Sequence, residues 1–318
     1  MILITGADGF IGSYLLNKFT EWNIDCTGTF ISEVDLASRS NLFDFAAHMP
    51  KIDLIIHCAT AARSGTEYGA DCFQNNVKMY LNILDLASEH NCSLISFGSG
   101  SDTNRNFWSA SMDEYSFTSF PPPSNDHHAD SKATIARLIN LSSFKKQLSL
   151  RLFGVFGEGE NYLYKLVPNT IAKLLHQLPI VLVRDRIYNY IDVYDLARFL
   201  RNFYQSISDN EQLLAQGKIP NIINFCSPTP IKLSRIVTYL ISQISHDGHP
   251  LTILNSEPGL PYSGTTRLIS SHFPDFSFSP LEDSLNRQIC YYKRFLSDFD
   301  KSLLISDDYL SYALRISK

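Results

Sequence analysis

The sequence predicts an α/β protein with a doubly wound parallel sheet and a smaller C-terminal lobe. Two observations carry this prediction. Short apolar runs alternate with helical patterns through the first half of the chain, which is typical of a parallel sheet covered by helices on both faces. The last third is less regular, and residues 256–266 are rich in Gly, Pro, Ser and Thr.

Composition narrows the classes of protein that the chain could belong to. Of its 318 residues 44% are hydrophobic, enough for a sizeable core, and the net charge of -5 argues against a nucleic-acid partner. The six cysteines form no CxxC pair and none lies at metal-ligand spacing from a histidine, so we expect reduced thiols and no metal site. The N-terminus does not resemble a signal peptide and no apolar run is long enough to span a membrane, so cytoplasm is expected.

The elements follow one another in the order that a doubly wound sheet requires. Strands are predicted at 1–5, 26–31, 53–58, 94–97 and 148–153, and helices at 12–19, 76–88 and 132–141. Residues 213–220 and 246–250 have the composition of connectors. We therefore assign residues 1–157, with contributions from about 186–228, to one domain, and residues 158–185 and 229–318 to the smaller lobe. A cleft between two lobes is a favoured ligand site.

A glycine-rich loop, TGADGFIGS at residues 5–13, lies between the first strand and the first helix. Gly6 allows a tight turn, Gly9 lets backbone amides approach a pyrophosphate, and Gly12 allows the helix to pack closely on the sheet. This context predicts a Rossmann-type dinucleotide site. The choice between NAD and NADP stays open, because both Glu33 and Arg39 follow the second strand.

Several segments, in order, resemble the extended short-chain dehydrogenase/reductase family of nucleotide-sugar epimerases, dehydratases and ketoreductases. The Gly-x-x-Gly-x-x-Gly spacing is one of them, and the resemblance extends to about Tyr292. The others are DLIIHCAT (53–60), Asn76-Val77, SFGSGS (96–101), LRLFGVFG (150–157), RIYNYIDVYDLA (186–197) and INFCSPTPIKL (223–233).

The resemblance implies a nucleotide-sugar substrate, an NAD or NADP cofactor, and a homodimer built on the helices that begin near Asn76 and Lys132. It also implies which residues form the site. The catalytic residues would be Ser99, His128 and Lys132. The cofactor would contact Gly6, Gly9, Phe10, Ile11, Gly12, Cys58, Ala59, Thr60, Lys132 and Phe153.

The segment DHHADSK (126–132) departs from the family's pattern. The family places a catalytic Tyr four residues before Lys132, and this chain has His128 there. Imidazole can do acid-base work near neutral pH, so His128 could take over that role, through a bridging water or a shifted substrate. Tyr115 could supply the acid instead. The chain could also be a catalytically inactive dinucleotide-binding subunit with a regulatory or assembly role.

Other candidate residues are less specific. Gly154 stands where many relatives carry a substrate-contacting Asn. Arg186 and Arg267 could bind a diphosphate, since guanidinium groups suit phosphate oxygens, or could form surface ion pairs. Tyr162, Tyr164 and Lys165 are expected on a helix facing the cleft, as packing or contact residues. His127 is expected in a loop, and His57 as a hydrogen-bonded histidine at a strand end.

Overall fold

A computed structural model describes residues 1–61, 63–64, 67–116, 126–245 and 248–316. Within these residues a six-stranded parallel sheet has the order β2-β1-β3-β6-β7-β12. This confirms the predicted doubly wound parallel sheet. The strands are β1 (Ile2–Thr5), β2 (Cys26–Gly28), β3 (Leu54–His57), β6 (Ser93–Ser99), β7 (Gln147–Leu152) and β12 (Ile222–Phe225), and the two short strands before β6 are β4 (Arg63–Ser64) and β5 (Glu67–Tyr68).

Helices cover both faces of the sheet, because alternate residues of each buried strand point to opposite sides. Ile2 and Ile4 of β1 pack with Leu15 on one face, whereas Leu3 packs with Tyr80 on the other. The first face carries α1 (Phe10–Glu21), α6 (Val193–Gln205) and α7 (Ile207–Ala215), and the second carries α2 (Arg39–Ala46), α3 (Cys72–Glu89) and α4 (His127–Leu141).

The second lobe has its own apolar core, in which Phe156 and Ile171 are buried beside Ile236 and Leu285. Its elements are α5 (Leu166–Leu175), β8 (Gly154–Phe156), β9 (Ile180–Arg184), β10 (Ile187–Tyr188), β13 (Ile231–Lys232), α8 (Leu233–Ile244), β14 (Leu251–Asn255), α10 (Leu281–Arg294), α11 (Lys301–Ser306) and α12 (Asp308–Ile316). In contrast, β11 (Tyr190–Asp192) and α9 (Arg267–His272) bury Ile191 and Ile269 in the core of the first lobe. The pairing of β8 with β11 therefore joins the lobes, whereas β10 pairs with β13 within the second lobe.

One expectation about a loop was wrong, and another is tested only in part. The connector predicted at 213–220 begins as helix, because α7 continues to Ala215 and buries Leu214 against the core. The connector predicted at 246–250 falls partly outside the described residues. Among the described residues, no helix combines the length and apolar character needed to cross a membrane.

The C-terminal helix α12 is fixed by Asp307, which links it to α11. Asp307 adopts a left-handed backbone conformation, with φ of 55°, and its carboxylate forms an ion pair with the nearly buried Lys173. A second carboxylate oxygen accepts a hydrogen bond from the Leu310 backbone amide over 3.1 Å. These contacts cap the first turn of α12 and hold the helix against the second lobe.

Candidate active site

The three glycines of the loop differ in what surrounds them. Gly6 has a φ of +67°, and a Cβ there would lie 2.7 Å from Ala59 Cα. A Cβ on Gly12 would lie 2.1 Å from the Gly6 carbonyl oxygen, so both positions require glycine for packing. A Cβ on Gly9 would meet one described atom within 4 Å, the Gly6 oxygen at 3.4 Å. The space above Gly9 is therefore left for a ligand, as a pyrophosphate site requires.

The loop opens into a cavity of about 560 Å³, here called the loop cavity. Its lining includes five of the predicted cofactor residues: Gly6, Gly9, Cys58, Ala59 and Thr60. Phe30 and Ile31 from the end of β2 supply apolar walls, which suit a flat base. Phe10 and Ile11 open α1 and pack, partly buried, against the sheet core. The shape and lining fit the adenosine half of a dinucleotide.

Asn76 connects Thr60 and Ala61, which line the loop cavity, to α4 through hydrogen bonds. Its side-chain oxygen accepts hydrogen bonds from the Ala61 amide at 2.7 Å and the Thr60 hydroxyl at 3.3 Å. Its side-chain nitrogen donates to the Ser131 hydroxyl at 2.9 Å. The Asn76 side chain is 3% exposed, so losing these bonds would leave buried polar groups without partners.

Charged groups around the loop cavity bear on the choice between NAD and NADP. Asp8, Asp35 and Asp71 are the charged side chains in its described lining. The Asp8 carboxylate accepts a hydrogen bond from the Ile31 amide over 3.0 Å, which holds it beside the end of β2. Arg39, one of the two sequence candidates, instead pairs with Asp85 of α3 at 3.2 Å.

Ser99 and Lys132 lie near the carboxyl end of β6. The Ser99 hydroxyl is 2.8 Å from the Ser101 hydroxyl and 3.4 Å from the Tyr262 hydroxyl. Lys132 Nζ donates to the Phe97 carbonyl over 2.9 Å. Burial lowers the pKa of Lys132 to about 8, although the neighbouring Cys58, Cys72 and Asp102 oppose that change.

His128 lies in the first turn of α4, one turn before Lys132. The helix starts one residue earlier, at His127, so the expectation of a loop at His127 was wrong. Asp126 caps α4 by accepting a hydrogen bond from the Ala129 amide over 3.0 Å. The His128 ring stacks on Tyr68, with centroids 4.3 Å apart and planes 3° from parallel. A spacing of four residues places His128 and Lys132 on the same face of the helix.

Beyond His128 a second cavity of about 530 Å³ lies between the lobes, here called the tyrosine cleft. Six tyrosines besides Tyr68 line it, together with four cationic side chains. The tyrosines are Tyr164, Tyr188, Tyr190, Tyr262, Tyr309 and Tyr312, and the cations are Arg105, Lys165, Arg186 and Arg315. Aromatic walls with a few charged groups suit a sugar or base that carries phosphate.

The structure separates the residues proposed for substrate contact. Arg186 lines the tyrosine cleft. Arg267 is exposed at the start of α9 and is not among the described residues that line it. Tyr164 and Lys165 line the cleft from a turn before α5, so the helix predicted for them was wrong. Tyr162 instead packs on Phe299, with ring centroids 4.8 Å apart.

Two further sequence candidates are not among the described residues that line the tyrosine cleft or the loop cavity. Tyr115 is 64% exposed and lines a separate cavity with Arg137 of α4. The Phe153 side chain packs into an aromatic cluster with Trp108 and Tyr262. His57, by contrast, is the hydrogen-bonded histidine that was predicted, with Nδ1 2.8 Å from the Thr5 hydroxyl oxygen, and burial lowers its pKa to about 3.

Tyr190 explains the glycine at position 154. A Cβ on Gly154 would lie 2.7 Å from the Tyr190 ring and 2.9 Å from the Asn189 carbonyl oxygen. An asparagine side chain at this position cannot coexist with the tyrosine ring as placed. Gly154 therefore leaves room for the Tyr190 ring beside the cleft.

A buried ion pair supports the turn that follows Ser99, and sequence reasoning missed it. Arg151 Nε donates to Asp102 Oδ2 over 3.0 Å, and both side chains are 2% exposed. Arg151 also donates to the side-chain oxygen of Asn224 in β12 over 3.3 Å. The backbone amide of Asn224 in turn donates to the Glu114 carboxylate over 2.9 Å. Arg151 in the otherwise uncharged run LSLRLF was a signal that could have been used. A central strand buries both of its faces, so a charged residue in it requires a buried partner.

Together, the parallel sheet, the glycine loop at its edge and the adjacent cleft define a dinucleotide-binding α/β protein. The chain belongs to the NAD dependent epimerase/dehydratase family, whose model matches residues 2–224. This confirms the predicted family and the expectation of a nicotinamide dinucleotide cofactor. No curated protein sequence is significantly similar to the chain.

Solved structures with the same fold include three from different organisms. A GDP-6-OMe-4-keto-L-xylo-heptose reductase from C. jejuni has a TM-score of 0.74 at 18% identity, covering 92% of this chain and 97% of that one. A GDP-L-fucose synthetase from Naegleria fowleri bound to NADP has a TM-score of 0.73 at 15% identity, covering 92% of each chain. The Bordetella bronchiseptica enzyme WbmH in complex with NAD+ has a TM-score of 0.73 at 16% identity, covering 92% and 98%.

Proposed function

We propose that the protein is a nicotinamide-dependent nucleotide-sugar oxidoreductase, a 4-ketoreductase or epimerase. The observation that carries this proposal is the position of α4 between the two cavities. Lys132 lies beside Cys58, which lines the loop cavity, and His128, one turn earlier, lines the tyrosine cleft. One helix therefore carries polar groups toward both the cofactor side and the substrate side.

The chain's own residues account for cofactor binding. Backbone amides of the glycine loop, at the N-terminus of α1, would hold the pyrophosphate. Residues 58–60 would line the adenosine half, and Lys132 would hold the nicotinamide ribose. When bound, the cofactor supplies hydride transfer to or from a sugar carbon. Because Asp8 and Asp35 line the loop cavity, a 2′-phosphate would meet like charge, so the geometry favours NAD.

The tyrosine cleft supports a nucleotide sugar as the substrate. Its cations offer partners for a diphosphate, with Arg105 already paired to Asp126 over 3.5 Å, and its aromatic rings offer faces for a base and a sugar. Arg315 and Tyr312 come from α12, so the C-terminal helix would contribute to recognition. The heptose reductase and the fucose synthetase named above support this substrate class, since their names specify GDP-linked sugars.

In this proposal Ser99 and His128 contact the reacting sugar. The Ser99 hydroxyl would hydrogen-bond the reacting oxygen. A neutral imidazole at position 128 would polarise it as a hydrogen-bond donor. The Tyr68 ring covers one face of the His128 imidazole, and the proposed contact uses a ring nitrogen, which donates in the plane of the ring.

A second candidate function is a dinucleotide-binding subunit without turnover, with a regulatory or assembly role. The observation in its favour is that imidazole stands where the family carries a phenol. The intact loop cavity fits both candidates, so cofactor binding alone does not separate them.

The separating experiment is ketoreduction of a panel of nucleotide-4-keto sugars, followed by the loss of reduced-cofactor absorbance. We expect turnover with NADH, and Lys132→Met should lose cofactor affinity. Surface Lys232→Met, on the short strand β13, is the matched control and should behave as wild type. Tight NADH binding with no turnover on any sugar would favour the non-catalytic subunit.

A further inference from the structure

Tyr262 brings a phenol hydroxyl to Ser99 from the opposite side of the cleft. Its hydroxyl oxygen is 3.4 Å from Ser99 Oγ. The residue lies in the irregular segment between β14 and α9, not on α4, and it lines the tyrosine cleft together with His128. A tyrosine hydroxyl therefore lies beside the serine that matches the family's serine, although α4 carries none at position 128.

The ring of Tyr262 is held on several sides. It packs against Trp108, Phe153 and Tyr188, with ring centroids at 4.4, 5.2 and 5.1 Å respectively. Its backbone amide donates to the Ile187 carbonyl over 2.8 Å, which fixes it beside β10. The residue is 8% exposed. A side chain locked in this way presents its hydroxyl in one position, as a proton donor to a bound substrate requires.

We propose that Tyr262 is a further catalytic residue, which donates the proton to the substrate carbonyl oxygen. This rests on the proposed function. In the ketoreductase direction the carbonyl carbon gains a hydride from a reduced nicotinamide dinucleotide, which is oxidised. The carbon–oxygen π bond breaks, and the oxygen takes the Tyr262 proton to become a hydroxyl. The phenolate then regains a proton from solvent.

A hydroxyl chain provides the path for that last proton. Ser99 Oγ is 2.8 Å from Ser101 Oγ, and Ser101 lines the tyrosine cleft. Tyr262, Ser99 and Ser101 thus form a continuous series of hydroxyl groups from the buried phenol to the cleft. Burial raises the pKa of Tyr262, so the phenol is a weak acid that gives up its proton only as the more basic alkoxide forms.

The test compares Tyr262→Phe with Tyr292→Phe. Both remove one hydroxyl from a buried ring, but the Tyr292 hydroxyl donates to the Glu160 carbonyl over 2.8 Å, inside the second lobe. We expect Tyr262→Phe to lower kcat about a hundredfold or more, the range of general acid catalysis. Its NADH affinity should stay at the wild-type value. Tyr292→Phe should keep wild-type kcat, and thermal unfolding of both shows that they fold.

Two further readouts separate catalysis from packing. Calorimetric binding of a nucleotide-4-keto sugar, without cofactor, should weaken about two- to tenfold in Tyr262→Phe, the effect of one lost hydrogen bond. Fluorotyrosines of graded acidity, incorporated at position 262, should change kcat at neutral pH in step with the acidity of the phenol. A purely structural tyrosine would leave kcat independent of that acidity.

The outcomes distinguish this proposal from the proposed function. An active wild type with an equally active Tyr262→Phe variant overturns the role of Tyr262 and leaves the oxidoreductase standing. A wild type that is inactive on every sugar tested contradicts the oxidoreductase itself, and the proton-donor role with it.

Discussion

Gly9 and Gly12 lie in the same loop, but we expect a substitution at Gly9 to impair cofactor binding and a substitution at Gly12 to impair folding. In Gly9→Val the new Cβ would have one described protein atom within 4 Å, the Gly6 carbonyl oxygen at 3.4 Å. In Gly12→Ala the Cβ lies 2.1 Å from the Gly6 carbonyl oxygen and 2.8 Å from its carbonyl carbon. Both of those are backbone atoms, so they cannot move aside as a flexible side chain would.

The expected magnitudes differ accordingly. Overpacking of this kind costs about 1–3 kcal/mol of the free energy of unfolding. At about 2–4 °C per kcal/mol for a chain of this size, Gly12→Ala should lower Tm by roughly 2–12 °C. Gly9→Val should leave Tm close to wild type. Displacing a pyrophosphate from its backbone amides forfeits charge-assisted hydrogen bonds of about 1.5–3 kcal/mol each, so NADH affinity should fall at least tenfold.

The assay is fluorescence titration with NADH, paired with thermal unfolding of the same samples. Gly9→Ala is the control, because a single methyl group adds little bulk above the loop. Unchanged NADH affinity in Gly9→Val would show that the loop is only a turn. A large loss of Tm in that variant would show that Gly9 is needed for packing.

Four other results are expected. His128→Phe should lower kcat/KM about tenfold by removing one hydrogen bond to substrate, with NADH affinity unchanged; full activity would exclude a contact. NADH should bind more tightly than NADPH, and Asp35→Asn should narrow the difference in direct titrations of both. Burial lowers the pKa of Lys132 from 10.5 to about 8, so the folded protein loses this proton before the unfolded chain does. The free energy of unfolding should therefore gain a contribution as pH rises from about 8 to 10.5, absent from Lys132→Met in denaturant titrations. We expect a dimer that forms through α3 and α4, so light scattering should give the mass of two chains; a mass near 36.0 kDa would contradict it.

The sheet was predictable because its signals are local. The apolar run MILIT and the adjoining glycine loop sit within thirteen residues, and the structure places β1 and α1 on either side of that loop. Parallel strands also bring their carboxyl ends to one edge, so the site's position followed from the strand order. Helix bounds were predicted less accurately than the order of the elements. The helix α3 begins at Cys72, whereas the prediction placed its start at residue 76.

The shape of the cleft was not predictable, because distant segments build it. Asp102 and Arg151 are 49 residues apart; the charge within LSLRLF marks Arg151 as unusual, but no pattern identifies Asp102 as its partner. Tyr262 reaches Ser99 across 163 residues, from a segment whose composition indicated only an irregular connection. Such contacts depend on the packing of segments far apart in the chain, and a single sequence carries no periodic signal for them.

Gly154, one of the departures from the family's pattern, is connected to Ser99 through a series of aromatic rings. Gly154 accommodates the Tyr190 ring, and Tyr190 lies within 5.6 Å of Tyr188, centroid to centroid. Tyr188 in turn packs on Tyr262, whose hydroxyl faces Ser99. A series of aromatic contacts thus connects Gly154 to the phenol hydroxyl near Ser99 that we propose as the proton donor. In the proposal made above, the proton that the family takes from a tyrosine on α4 comes instead from Tyr262, in the segment between β14 and α9. That segment and α4 reach the tyrosine cleft from opposite sides, so a donor on either one could meet the same reacting oxygen.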